Sequence, residues 1–259
     1  MNKNPIEFKK DNLKVKIYQE SDEIAAVAAQ FVASALNSAI VSNGVGRIIL
    51  GTGNSQLAFI EQLQKQDINW KKVVVFHLDE YKDMPATHPA SFRKYLKERI
   101  LDNVKPKEVH YIVGDAPDIQ REIKRYSDLL KKNPVDVACV GIGENGHLAF
   151  NDPPVADFND PHLLKVITLD KGCRQQQFGE GWFPALEDVP AEALTMTIPA
   201  IMSSKIISCL VPDERKAQAV HNALYGDIST ACPASILRKH PNAILFLDKY
   251  SSSLLKDIG

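Results

Sequence analysis

Charge of neither sign dominates this chain. Its 31 lysines and arginines face 32 aspartates and glutamates, a formal net charge of −1, which argues against a surface that coats nucleic acid or grips an anionic membrane. Cysteine is scarce and unpatterned: Cys139, Cys173, Cys209 and Cys232 show no C-x-x-C spacing. Cys139 and Cys209 lie in apolar, strand-like runs, so buried free thiols are expected rather than disulfides or zinc ligands. The first residues, Met1-Asn2-Lys3-Asn4-Pro5-Ile6-Glu7, lack the apolar core of a secretory signal. No apolar run reads as long enough to span a bilayer, and cytoplasmic residence is the expectation. Internal repeats, low-complexity tracts and linker-like stretches are missing too. With 259 residues, 44% hydrophobic and 24% charged, the chain is of ordinary globular composition and long enough to bury a sizeable core.

What is present is a steady alternation of strand and helix patterns. Strand-like runs occupy 13–18, 47–50, 73–78, 109–113, 135–140, 165–169, 193–198, 205–211 and 243–247. Helical patterns fill 24–41, 56–66, 89–101, 119–132 and 214–225. Ser21 reads as the cap of the first helix, with Asp22 and Glu23 in its positive first turn, and Asn43-Gly44 as its stop. Asn54 or Ser55 reads as the cap of the second. Such alternation over the whole length predicts one domain, 1–259, folded as a three-layer α/β/α sandwich around a mostly parallel, Rossmann-like sheet.

The chemistry concentrates where these strands end. After the apolar run 135–140 come Gly141-Ile142-Gly143-Glu144-Asn145-Gly146-His147, then Asp152. Glycines at the carboxyl end of a buried strand let a ligand approach the main chain, and open α/β sheets bind there. An imidazole with Asn145 and Asp152 close by is equipment for acid–base work. A glycine-rich connection whose His bonds only to backbone is the blander alternative. Gly51-Thr52-Gly53-Asn54-Ser55, between a strand and a helix start, is a recipe for anion binding without the spacing of a nucleotide motif. Asp79-Glu80 at the tip of the run 73–78 must find partners or a task, because buried carboxylates are costly; capping the next loop would occupy only one of them. Residues 173–183, polar and aromatic, read either as a mobile lid or as a surface helix pinned by its aromatics. Arg215 and Lys216 oppose the dipole of the helix they begin, which suits a bound anion.

Taken together, Leu78-Asp79-Glu80-Tyr81 with His88-Pro89 and Ser91-Phe92, the run Gly141 to Pro153, Val189-Pro190 with Ala193-Leu194-Thr195, Lys216-Ala217, and Pro233-Ala234-Ser235 with Leu237 and His240 resemble the glucosamine-6-phosphate deaminase (isomerase) family. The resemblance spans nearly the whole chain. It implies conversion of an amino-sugar 6-phosphate to a ketose phosphate and ammonia, with neither cofactor nor metal. His147 would open the sugar ring, tuned by Asp152 and aided by Asn145, while Asp79 carries a proton between C2 and C1. Glu80 would orient its loop or bind hydroxyls. Gly53, Asn54, Ser55 and Lys216 would hold the phosphate, with Arg174 as a movable second cation. The expected partner is a small sugar phosphate, not nucleic acid or membrane, and the chain could self-associate as a homo-oligomer. Against the family pattern, Asn145 stands where many members have Asp, Asp152 replaces Glu, and residues 51–55 read Gly-Thr-Gly-Asn-Ser. Gly179 takes the place of a lid arginine. A related 6-phosphogluconolactonase-type hydrolase and a non-catalytic sugar-phosphate sensor share the fold. The first has no evident need for Asp79-Glu80; the second usually carries a DNA-binding domain for which no residues are spare.

Overall fold

A computed structural model of the protein describes residues 5–256. The chain begins with β1 (Ile6–Lys10) and β2 (Leu13–Ile17), then α1 (Ser21–Asn43), β3 (Gly46–Leu50), α2 (Leu57–Gln64), β4 (Val73–His77) and β5 (Asp79–Tyr81). Helix α3 (Phe92–Leu96) continues through a π-turn into α4 (Asp102–Val104), followed by β6 (Glu108–Val109), α5 (Ile119–Lys132) and β7 (Val137–Val140). Next come β8 (Leu164–Thr168), α6 (Lys171–Gly179), β9 (Glu192–Met196), α7 (Ile198–Met202), β10 (Ile206–Val211), α8 (Ala217–Tyr225) and β11 (Ala243–Leu247).

Eight strands form the main sheet in the order β1-β2-β11-β10-β7-β3-β4-β6. All its pairings are parallel except the β1–β2 hairpin at the edge. Its central strands β3, β4, β7 and β10 are largely apolar, with Arg47, His77 and Ser208 as exceptions, because each is covered on both faces, the requirement of a parallel sheet. Alternation sorts the side chains: Ile48, Leu50, Val73, Val75, Val137 and Cys139 pack with α1 and α2 on one face. Ile49, Val74, Phe76, Ala138, Val140 and Cys209 pack with α5 and α8 on the other. The expected sandwich is therefore present, with its parallel strand ends gathered on one edge.

Several sequence expectations are corrected. The runs 165–169 and 193–198 do not join the main sheet; β8 and β9 pair with β5 in a separate antiparallel sheet, β5-β9-β8. Strand β1 adds an edge that the sequence pattern does not mark, and of the run 109–113 only Val109 is strand, in β6. Glu20, not Ser21, caps α1 in a reciprocal capping box with Glu23, while the Ser21 hydroxyl donates to Asp248 Oδ2 at 2.5 Å. Neither Asn54 nor Ser55 caps α2 with its side chain. Helix α1 is also long and apolar enough, by length and composition alone, to cross a bilayer, with half of its most apolar window buried inside the protein.

One buried knot fixes the end of β4. The Tyr126 hydroxyl donates to His77 O at 2.7 Å and accepts from His77 N–H at 3.0 Å, while His77 Nε2 accepts from Ile112 N–H at 2.8 Å. The imidazole is thus a neutral acceptor, and burial pushes its pKa down to about 3. As pH falls below 6.5 the unfolded chain takes up a proton here that the folded chain refuses until about pH 3. This contribution to stability is complete above pH 6.5 and is lost with increasing acidity. Between pH 6 and 4, wild-type unfolding free energy should fall relative to His77→Gln by up to about 1.4 kcal/mol per pH unit. Urea titrations that follow parallel pH dependences for the two proteins would contradict this.

Candidate active site

The cleft lies where the carboxyl ends of β3, β4 and β7 meet, roofed by α6 and the residues after it. Its lining includes Gly51, Gly53 and Ser55 from the loop after β3, Asp79, Gly143 and His147 from the loop after β7, and Lys216. Gln176, Gln177 and Glu180 come down from the roof.

His147 is held from behind. Its Nδ1 lies 2.8 Å from Asn145 Oδ1 and 2.9 Å from Asp152 Oδ1. Both neighbours are acceptors, so Nδ1 carries the proton and Nε2 offers its lone pair to the cleft. Asn145 Nδ2 donates to Asp152 Oδ1 at 2.7 Å, a bond that an Asp at 145 could not make without setting two carboxylates against each other. Burial pushes the Asp152 carboxyl up, but His147, then Asn145 and the Cys173 thiol, outweigh it and hold the pKa below the ordinary value. The ring lies flat on Gly143, where a Cβ would come within 2.1 Å of it. Glycine there is a packing requirement, not a turn preference.

Asp79 and Glu80, adjacent in β5, have opposite fates. Glu80 is fully buried and clamps the start of α3. It accepts from Tyr81 N and Phe92 N at Oε1, and from Ser91 Oγ, Arg93 N and Arg93 Nε at Oε2, all within 2.7–3.2 Å. Asp79 faces the cleft and has no hydrogen-bond partner for its carboxylate among the described residues. Burial, then the Glu80 charge, pushes its pKa well above the usual range.

Two residues expected at the substrate stand elsewhere, and Glu80, expected to orient its loop or to bind hydroxyls, holds the loop and the start of α3 and does not line the cleft. Arg174 points away from it, donating to Val189 O at 3.2 Å and Leu186 O at 2.9 Å, so it ties down the loop before β9. Asn54 turns its amide to Glu180 O at 3.1 Å, leaving Gly53 and Ser55 on the lining. Lys216 is buried with no hydrogen bond, and its nearest carboxylate is Glu144 at 3.9 Å; desolvation lowers its pKa against the pull of Glu180 and Glu144. Arg215 is exposed and paired with Asp213 at 2.8 Å. Sequence reading missed Gln176, Gln177 and Glu180, whose signal was only their place in a polar, lid-like stretch.

His147, Asp152 and Cys173 bring one donor atom each within 4.8 Å of one another, enough to hold a cation. Against that use, burial and then the Asp152 charge push the Cys173 thiol up, so it keeps its proton.

Fold and cleft together define an α/β protein that stations a carboxylate and an imidazole at the carboxyl edge of its parallel sheet. The family model for glucosamine-6-phosphate isomerases/6-phosphogluconolactonase matches residues 19–169. A glucosamine-6-phosphate deaminase of Exiguobacterium sibiricum is 35% identical over 246 residues, 95% of this chain and 94% of that one. Its counterpart in Bacillus thuringiensis (strain Al Hakam) is 36% identical over 208 residues, 80% and 78% of the two chains. The solved structure of a monomeric glucosamine-6-phosphate deaminase superimposes with a TM-score of 0.84 at 30% identity, covering 93% of this chain and 99% of that one. A 6-phosphogluconolactonase from Shewanella baltica gives 0.76 at 18% identity, covering 95% and 100%, a likeness of fold alone. The chain belongs to the glucosamine-6-phosphate isomerase/6-phosphogluconolactonase family.

The two neighbouring carboxylates should separate in unfolding experiments. Glu80→Ala takes one of two carboxylates from the Arg93 guanidinium, which keeps Asp115 and Met84 O. It leaves several buried N–H groups and the Ser91 hydroxyl without their acceptor, and should cost about 3–5 kcal/mol. Asp79→Asn removes a charge that nothing in the protein compensates, and should leave the denaturation midpoint at pH 7 unchanged or raise it. Equal losses in the two variants would contradict these assignments.

Proposed function

We propose that this protein isomerises and deaminates an amino-sugar 6-phosphate, converting glucosamine 6-phosphate to fructose 6-phosphate and ammonia, and that residues 1–259 act as one catalytic unit. The observation that carries this reading is the pairing of two differently tuned bases in one cleft: Asp79, without a protein partner and with a raised pKa, and His147, with Nδ1 turned to Asp152 and Asn145.

The chemistry needs both. Ring opening moves a proton from the O1 hydroxyl to the ring oxygen O5, leaving an aldehyde at C1. His147 Nε2 takes and returns that proton, while Asp152 and Asn145 hold the imidazole and stabilise its charged form. Isomerisation then moves a proton from C2 to C1. Asp79 removes it, O1 gains a proton, and the resulting enolamine is reprotonated at C1 by the same carboxyl. Water adds to the C2 imine and ammonia leaves, giving the ketose. A partner-free carboxylate with a raised pKa suits this transfer, since an effective base has a pKa near the working pH. Gly53, Ser55 and Lys216 would receive the phosphate. A lactone hydrolase needs a base to activate water, which His147 alone could provide; Asp79 favours the isomerase.

Ammonia and ketose phosphate release should be assayed across a panel of amino-sugar 6-phosphates, alongside hydrolysis of 6-phosphogluconolactone. Turnover of the amino sugar is expected; turnover of the lactone alone would overturn the reading. Asp79→Asn should bind substrate yet lose roughly 10²-fold or more in turnover. His147→Gln should slow reaction of the cyclic sugar far more than solvent exchange of the C1 proton in the open-chain ketose. Equal losses in the two assays would remove His147 from ring opening.

A further inference from the structure

The corner around Lys216 carries a feature that anion binding alone does not explain. Lys216 is only 4% exposed, makes no hydrogen bond among the described residues and lines the cleft beside Gly53 and Ser55. A buried ammonium facing a cleft, with its nearest carboxylate 3.9 Å away, calls for an anion. Yet a carboxylate already reaches into this corner. Glu180 lines the same cleft, with Oε2 3.9 Å from where a Cβ on Gly53 would stand. Its main-chain oxygen accepts from Asn54 in that same loop, and its carboxylate accepts from Gln176 Nε2 at 2.9 Å and Trp182 Nε1 at 3.4 Å. Glu144 adds a second acid at 3.9 Å from Lys216, itself shared with the exposed Arg215 at 3.5 Å.

Glu180 is also free to leave. It sits between Gly179 and Gly181, the latter at φ +83°, and around both glycines the space is open. Only two side-chain hydrogen bonds restrain its carboxylate, and Gln176 is itself half-buried on the roof, where its Oε1 accepts from Glu144 N at 3.2 Å.

We propose that Glu180 is a built-in competitor for the anion corner formed by Gly53, Ser55 and Lys216, and so a specificity-determining residue for the phosphate end of the ligand. A phosphate enters by displacing this carboxylate from beside the 51–55 loop and taking its place near Lys216. The displacement tax lowers affinity for any small anion, and only a ligand that also engages the sugar end of the cleft overcomes it. The proposal deepens the sugar-phosphate reading above, but its first test needs no turnover.

Inorganic phosphate binding should be measured by calorimetry for wild type, Glu180→Gln, Glu180→Ala and the double variant Glu180→Gln/Lys216→Met. Like charges brought together at a binding site cost enough that Glu180→Gln and Glu180→Ala should each bind phosphate about tenfold or more tightly than wild type. Adding Lys216→Met should abolish that gain. With the amino-sugar 6-phosphate, KM should fall in Glu180→Gln, while inhibition by the unphosphorylated amino sugar stays unchanged. Phosphate binding that is equal or weaker in both Glu180 variants, or a gain that survives Lys216→Met, overturns the inference. Tighter phosphate without turnover of any amino-sugar phosphate would uphold the competitor and instead remove the substrate reading.

Discussion

Asp79 and Glu80 are consecutive residues of an extended strand, so their side chains leave it on opposite sides. Both are buried, at the point where the chain passes from the parallel sheet to the small antiparallel one. The protein spends its donors on one of them: Ser91, the main chain of residues 81, 92 and 93, and the Arg93 guanidinium all converge on Glu80. Its neighbour is left with a desolvated carboxylate and a like charge behind it. This division fixes the start of α3, sets the direction of β5, and leaves a proton acceptor on the cleft wall. A folded protein keeps such a group only when the rest of the structure holds it there.

The second base is built the opposite way. His147 is oriented by acceptors on one ring nitrogen, so its basicity is directed outward through the other. The turn that carries it depends on Gly143, which lets the ring lie against the main chain. Asn145 and Asp152 form a complementary pair, amide to carboxylate, and the shorter Asp is closed in by the Cys173 thiol from the roof. The roof and the turn that carries His147 are joined again through Gln176 and Glu144.

Much of this was legible in the sequence because its causes are local. Apolar β-branched runs marked the parallel strands, and a strand followed by glycines with His147, Asn145 and Asp152 marked the turn that brings the imidazole to the cleft. What escaped notice depends on distant pairing. The run 73–78 shows two acids at a strand tip, but only the pairing of β5 with β9 decides which one faces the cleft. Arg174 reads as a free cation until the loop before β9 brings the carbonyls of Leu186 and Val189 to it. Ser21 is a plausible cap until Asp248, more than two hundred residues away, takes its hydroxyl. The place of Glu180 over the 51–55 loop follows from lid packing that no periodicity encodes.

The central claim is that one carboxylate in this cleft relays a proton from C2 to C1 of an open-chain amino sugar. Running the reaction on glucosamine 6-phosphate in deuterium oxide and reading the ketose product by NMR tests it directly. A single base working from one face predicts solvent deuterium at C1 in only one of the two stereochemical positions, with the remainder of the product carrying the original C2 hydrogen at that same position. Deuterium distributed over both C1 positions would contradict the account.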